Sequence, residues 1–351
     1  MNTSILITLL ICTHNGEPNI QKCLEAIANQ SDVPKNLFEI LLIDNASSDR
    51  TAEIASTTIE NMQLNGRILY EPRVGKVNAF LKGVREAQSE LISIIDDDNF
   101  IEPGFLRYTL EIFEKFPNVG MVGSKNSIFA TQPIPEWFSW TTGRYACAQP
   151  MLSDVEIQIP NGVVVAQSAV IAGAGSTFRV KPIIECIDKG YSFFNDTQRG
   201  KNMSVTGEDL ELCYLMYSLG KYKFAFDPRI QIRHSVKAER LNLKYLSVLT
   251  ETQGAGALGV DPFMFTDKFS GGRWPFKWTW QWQLLSKLRR YIRFSFLCMF
   301  PVNQDAAERF RNWNFRVECM GSIKRILIER NKYTHHIRQV AAGEWTALRV
   351  R

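Results

Sequence analysis

The 351-residue chain lacks most of the marks that settle a protein's class on sight. Its seven cysteines (12, 23, 147, 186, 213, 298 and 319) form no CxxC and no paired spacing. Several lie inside apolar runs, which fits reduced core thiols in a cytosolic protein better than a disulfide framework. Histidine is scarce: His14, His234, His335 and His336 make no HExxH and no zinc-type spacing, so a metal would be held mainly by carboxylates. No apolar stretch reaches membrane-spanning length, and the nearest, 294–300, is far too short. The apolar start has no basic n-region and runs into Thr13-His14-Asn15-Gly16 instead of a small-residue cleavage site. It therefore reads as a first strand and not as a signal peptide. Internal repeats, low-complexity tracts and any RNA- or DNA-binding module are also missing, which removes nucleic acid as an expected partner.

What remains is a chain with 45 % hydrophobic residues, enough for one large domain or two. Its charge is uneven. From residue 271 onward 16 lysines and arginines face 5 acids, although the whole chain is only +5. That split describes a basic tail on a mildly acidic body. The tail also carries Trp274, Trp278, Trp280 and Trp282 close to Arg289, Arg290 and Arg293. Two readings fit it: peripheral contact with an anionic membrane through residues 287–300, or packing on the rest of the fold.

Over the first 125 residues, apolar runs at 5–11, 38–43, 67–70, 91–95 and 119–122 alternate with polar, helix-like segments. Repeated βα units predict a parallel sheet with helices on both faces and ligands beyond the strand carboxyl ends. Three polar clusters fall at such ends: Thr13 to Glu17, Asp44 to Asp49, and Asp96-Asp97-Asp98 with Asn99. They are expected to converge. The acid triplet is the most informative of them, because three carboxylates after a buried strand repel one another unless a cation sits among them. A hard divalent ion that shares oxygen ligands with a diphosphate meets that need. Further on, short strands are expected near 162–165 and 170–172, a helix from Gly207-Glu208-Asp209 to Gly220, and strands at 223–226 and 230–232 leading to Arg233-His234.

In order and spacing, these motifs resemble a family 2 glycosyltransferase of the GT-A fold. The resemblance runs over about residues 4–258 and includes Gly75-Lys76, Gly173-Ala174-Gly175 and Gln253-Gly254. It implies an α/β, Rossmann-like, mostly parallel sheet flanked by helices, with a catalytic domain over 1–240. Nucleotide-sugar binding would occupy about 1–125 and the acceptor and catalytic part about 126–240, with a helical, basic region over 241–351. The implied activity is inverting transfer of a sugar from a nucleotide-diphosphate donor, most often UDP-linked, to a hydroxyl on a glycan or lipid-linked acceptor. The setting would be cytoplasmic, or peripheral at the inner face of a membrane.

The resemblance also assigns residues. Asp96 and Asp98 form the DxD pair for Mn²⁺ or Mg²⁺ with His234 as a further ligand, and Asp97 lies nearer ribose or metal-bound water. Thr13, His14, Asn15, Asp44 and Asn45 face the nucleotide base. His14 stands where tyrosine is usual and Asn45 where a second aspartate is common, which leaves the base open. Lys76 is expected on the diphosphate or base, and Glu17 either at the donor or as an early helical acid. Asp209 is the expected general base, ionised by the helix dipole without further tuning, with Glu208 positioning the acceptor. Trp137 is either a sugar-stacking residue or core. A sugar nucleotidyltransferase and a non-catalytic sugar- or nucleotide-binding relic are the rival readings. The first would carry a glycine- and Arg/Lys-rich triphosphate loop after strand one, and this chain has Thr13-His14-Asn15-Gly16 there.

Overall fold

The computed structural model describes residues 4–30, 32–195, 205–268, 275–343 and 345. The first half alternates as expected: β1 (Ile7–Thr13), α1 (Ile20–Ala28), β2 (Phe38–Asp44), α2 (Thr51–Asn61), β3 (Gly66–Tyr70), α3 (Lys76–Glu86), β4 (Leu91–Ile94), β5 (Asn99–Ile101), α4 (Phe105–Lys115) and β6 (Val119–Phe129). β1, β2 and β4 are almost wholly buried, as strands covered by helices on both faces must be. Glu39, in the middle of β2, is tolerated there because Arg67 pairs with it at 3.0 Å and Thr8 and the Gln88 amide donate to it.

The second half contains β7 (Met151–Gln158), β8 (Val164–Val170), β9 (Thr177–Arg179), α5 (Val180–Asp188), α6 (Glu208–Ser218) and β10 (Lys223–Ser235). The sheet runs β3-β2-β1-β4-β9-β6-β10-β8-β7, with β5 pairing to β10. β3, β2, β1 and β4 are parallel to one another, as are β6 and β10. Several features escaped the sequence pattern: β7 was not anticipated, and the two short strands expected near 162–165 and 170–172 are the one strand β8. The short β9 enters antiparallel between β4 and β6, so those two strands are not neighbours. The two strands expected at 223–226 and 230–232 are one long β10 whose register shifts between Phe226 and Gln231. Pro228, lacking an N–H, breaks the ladder there, and the buried Asp227 carboxylate takes the Arg229 amide and guanidinium instead.

The C-terminal region is helical: α7 (Leu243–Gly256), α8 (Asp261–Lys268), α9 (Trp280–Met299) and α10 (Ala306–Ala342). Among the described residues no helix is long and apolar enough to cross a membrane. α10 is anchored inward. Its Arg325, 1 % exposed, donates to Asn195 Oδ1, Ala255 O and Phe194 O and lies over the Phe194 ring. α10 crosses α7 at glycines: a Cβ on Gly254 would strike the Glu318 carbonyl oxygen, and one on Gly321 would strike that of Glu251. Gly254 of the Gln253-Gly254 motif thus serves helix packing. Because backbone atoms block the added methyl, Gly254→Ala should destabilise the fold by about 1–3 kcal/mol, read as a lower urea midpoint. An unchanged midpoint would mean that the two helices are not in such close contact.

Candidate active site

The carboxyl edge of the parallel strands gathers the acids. Asp96-Asp97-Asp98 follow β4 in a tight turn closed by Asn99, whose amide donates to the Asp96 carbonyl at 2.9 Å and whose Oδ1 accepts from the Asp96 amide at 3.1 Å. β5 then runs antiparallel to β10 with Asn99 opposite His234, and the Ser235 amide donates to the Asp98 carbonyl at 2.8 Å. This pairing sets His234 Nε2 3.4 Å from Asp98 Oδ1 although 136 positions separate them in sequence. The other ring nitrogen is occupied: Nδ1–H donates to the Tyr145 carbonyl at 2.8 Å. The tautomer that leaves Nε2 facing Asp98 is the one a metal-binding histidine needs.

Burial opposes charge on His234, but the hydrogen bonds to Asp98 and Cys147 and the charges of both groups together outweigh it and raise the pKa well above the usual imidazole value. Burial likewise opposes the Asp98 carboxylate, while His234, Arg240 and Lys76 lower its pKa. Arg240 Nη1 lies 3.9 Å from Asp98 Oδ2. One carboxylate and one imidazole facing a single point fit a divalent cation in place of their shared proton. Among the described residues no cluster of three His, Cys, Asp or Glu makes a complete metal site, so other ligands would have to come from the bound molecule and water. Asp96, expected to share the metal, faces Lys76 instead, 3.1 Å from its Nζ.

Lys76, the first residue of α3, also lies 3.4 Å from Glu208 Oε1. Burial disfavours its charge, yet Asp96, Glu208 and Asp209 overcome this and keep it protonated. It ties the triplet to the start of α6. There Asp209 is fixed by two backbone donors, the Gly173 amide to Oδ2 and the Leu210 amide to Oδ1, both at 2.9 Å. The glycine turn 173–175 therefore orients a carboxylate, and Gly175 takes the left-handed φ of +74° where a Cβ would strike Ser124. Asp209 is not an untuned acid. Burial first, and then the charge of Glu208, push its pKa to about 6 against the pull of Lys76 and the two amides.

The first two loops hold each other. Thr13 Oγ1 donates to Asp97 Oδ2 at 2.5 Å, and His14 Nδ1–H to the Asn45 carbonyl at 2.7 Å. Asn15 bridges to Ser47 and Ser48. Glu17 accepts from the Arg50 amide at the start of α2, and Asp44 from the Ser47 amide. Asn45, expected on the base, has its amide fully engaged: it donates to the Glu71 and Arg73 carbonyls and accepts from the Gly75 amide. That places it as the clamp of the loop that presents Lys76. Trp137 packs beside Phe138 and Tyr145 and lines neither cavity described next.

Two adjoining cavities result. The smaller, about 270 Å³, is lined by Thr13, His14, Asn45, Gly75 and the triplet. The larger, about 590 Å³, is lined by Asp209, Gly173, Tyr245 and Gln253, and by Glu318 of α10. Lys76, Asp96, Glu208, His234 and Arg240 border both. Sequence reasoning missed Arg240 and the Arg144–Glu318 pair (2.9 Å). It also missed Glu211, a buried acid of α6 that accepts from Tyr191, Phe194 and Asn195.

Residues 8–158 match the family profile described as "Glycosyl transferase family 2". The chain carries a family 2 glycosyltransferase domain. The matched stretch includes Lys76 and the triplet and ends before Asp209 and His234, whose placement rests on the geometry above. It is 31 % identical over 100 residues to glycosyltransferase AglE of Haloferax volcanii, covering 28 % of this chain and 32 % of that protein. Over 110 residues it is 31 % identical to the dolichyl N-acetyl-alpha-D-glucosaminyl phosphate 3-beta-D-2,3-diacetamido-2,3-dideoxy-beta-D-glucuronosyltransferase of Methanococcus voltae, covering 31 % of this chain and 34 % of that protein. The chain thus spans about a third of the length of these curated relatives. The fold is that of the mannosyltransferase PcManGT from Pyrobaculum calidifontis, solved with GDP-Man and Mn²⁺. The TM-score is 0.50 at 14 % identity, covering 97 % of this chain and 87 % of that one.

The charge balance around α6 can be tested directly. Replacing Glu208 with Gln removes a like charge and frees Lys76 for Asp209. The Asp209 pKa should then drop below about 6 in a side-chain ¹³C titration. A value that stays put would assign the whole shift to burial.

Proposed function

We propose that the chain is an inverting, metal-dependent glycosyltransferase. It would move a sugar from a nucleotide-diphosphate donor, with UDP the first candidate, to a hydroxyl of a glycan or lipid-linked acceptor. The observation that carries the reading is Asp209. It is a carboxylate held by two backbone amides at the wall of the larger cavity, across Lys76 and Glu208 from the acid triplet. The donor's diphosphate fits the smaller cavity, where the N-terminus of α3 and the Lys76 ammonium favour an anion. A divalent cation at Asp98 and His234 would neutralise charge on the leaving diphosphate. The acceptor hydroxyl then sits in the larger cavity. Asp209 takes its proton as the oxygen bonds to the anomeric carbon, the bond from that carbon to the diphosphate oxygen breaks, and the nucleoside diphosphate leaves. One displacement inverts the configuration. Glu208, paired with Lys76, positions groups around this exchange. The Methanococcus voltae relative, whose name gives a dolichyl-phosphate-linked sugar as acceptor, supports a lipid-linked acceptor.

With a base whose pKa is about 6, turnover requires the ionised form, so kcat/KM should fall about tenfold per pH unit below 6 and level off above it. Asp209→Asn should cut kcat by about 10²–10⁴-fold and leave donor affinity nearly unchanged. Near-normal turnover in that variant would remove Asp209 as the base.

The metal assignment has its own measurement. His234→Ala and Asp98→Ala should each weaken Mn²⁺ binding in the presence of UDP by at least about tenfold in calorimetry. Affinity equal to wild type in both variants would place the cation elsewhere.

A further inference from the structure

Among the described residues the outer face of α9 has no partner. Leu285, Leu288, Ile292, Phe296 and Met299 are all exposed, from 37 % at Leu288 to 69 % at Met299. At 3.6 residues per turn these five fall within an arc of about 80°. Phe300 and Val302, 52 % and 75 % exposed, continue the row past the helix end. Scattered exposed apolar residues are ordinary, whereas an aligned row of this length marks an interaction surface. The opposite face of α9 is settled by packing. Phe294 stacks on Phe315 of α10 with ring centroids 5.0 Å apart, and the buried Lys287 pairs with Asp261 at 2.8 Å.

Charge identifies what covers the row. Arg289, Arg290 and Arg293 are exposed along one flank of it, and among the described residues none of the three forms a salt bridge. No acidic residue occurs between residues 268 and 304. A second copy pairing through this face about a two-fold axis would bring the arginines of both molecules to the same rim with no carboxylate from α9 to receive them. Anionic headgroups supply that countercharge, while acyl chains receive the apolar row. Trp282, packed edge-on against Phe276 with centroids 5.1 Å apart, adds the amphipathic ring favoured at such a boundary.

We propose that α9 is a peripheral membrane-binding helix that lies on an anionic lipid surface, with Leu285, Leu288, Ile292, Phe296 and Met299 in the acyl boundary and Arg289, Arg290 and Arg293 at the phosphates. α9 packs on α10, which lines the larger cavity with Glu318, and no residue of α9 lines either cavity, so docking through its outer face leaves the cleft lining untouched. The proposal does not rest on the transferase reading: lipid binding is measured without nucleotide, and either can fail alone.

The test is co-sedimentation of the full chain with vesicles of phosphatidylcholine, alone or with about 30 mol % phosphatidylglycerol, at about 0.1 M salt. Wild type should bind the anionic vesicles and not the neutral ones. R289Q/R290Q/R293Q should weaken binding by about 100-fold, roughly a factor of five per arginine. I292S/F296S should weaken it by about tenfold or more. Both variants should keep the wild-type far-UV spectrum, since the altered side chains face solvent. Absence of binding by wild type, equal binding to both vesicle types, or undiminished binding by either variant would overturn the proposal. So would a dimer in light scattering that I292S/F296S dissolves.

Discussion

Five acids, Asp96, Asp97, Asp98, Glu208 and Asp209, are brought to one cleft, and mutual repulsion would open it unless positive charge were interleaved. Lys76 supplies the first part, standing between Asp96 and Glu208 at 3.1 and 3.4 Å. His234 and Arg240 supply the second, both on Asp98. Each cation is itself held by the fold and not by the acids alone. Lys76 opens α3 after a loop clamped by Asn45, and His234 is oriented by a backbone carbonyl. The cleft is consequently a preorganised arrangement of alternating charge, the condition under which developing charge is stabilised without reorganisation.

That alternation divides the acids by task. The Asp98 pKa is lowered by its neighbours, whereas that of Asp209 is pushed to about 6 by burial and Glu208. Two carboxylates in one cleft with affinities for the proton moved in opposite directions are suited to opposite work, and on the proposed reading one would hold a cation and the other would exchange a proton. The helix dipole alone would have lowered Asp209. Burial of α6 against the sheet and a like charge one residue earlier reverse the sign.

How much of this was legible in the sequence follows from the range of the interactions. The acid triplet, the first strands and the Glu208-Asp209 helix start are local patterns, and the chain order displays them. The Asp98–His234 contact is set by β5 pairing with β10, and a single sequence does not reveal which distant strands pair. Asn45 read as a base contact because its position was visible, while the three backbone groups that fill its amide come from a loop some 26–30 positions away. Glu17 illustrates the same limit: it was visible as an acid at a helix start, but the helix it caps is α2, not its own. Arg325 looked like one more charge of a basic tail until the fold buried it among carbonyls, which no count of charges foretells.

The tail shows why composition alone left two readings open. Its cations divide by face. Arg325 turns inward to carbonyls and Lys287 to Asp261, while Arg289, Arg290 and Arg293 stay in water beside an apolar row. Packing on the fold and contact with a lipid surface are therefore compatible, because different helix faces carry them. A helix whose buried side is fixed by stacking and an ion pair is also presented with one orientation, so it loses little rotational freedom on docking and its apolar area acts as a unit. The same α10 that backs this surface contributes Glu318 to the larger cavity, bridged to Arg144. The region beyond the matched family stretch thus completes a wall of the cleft. Truncating it would remove a wall of the cleft together with the exposed face of α9, so the proposed membrane contact is tested by changes at that face and not by truncation.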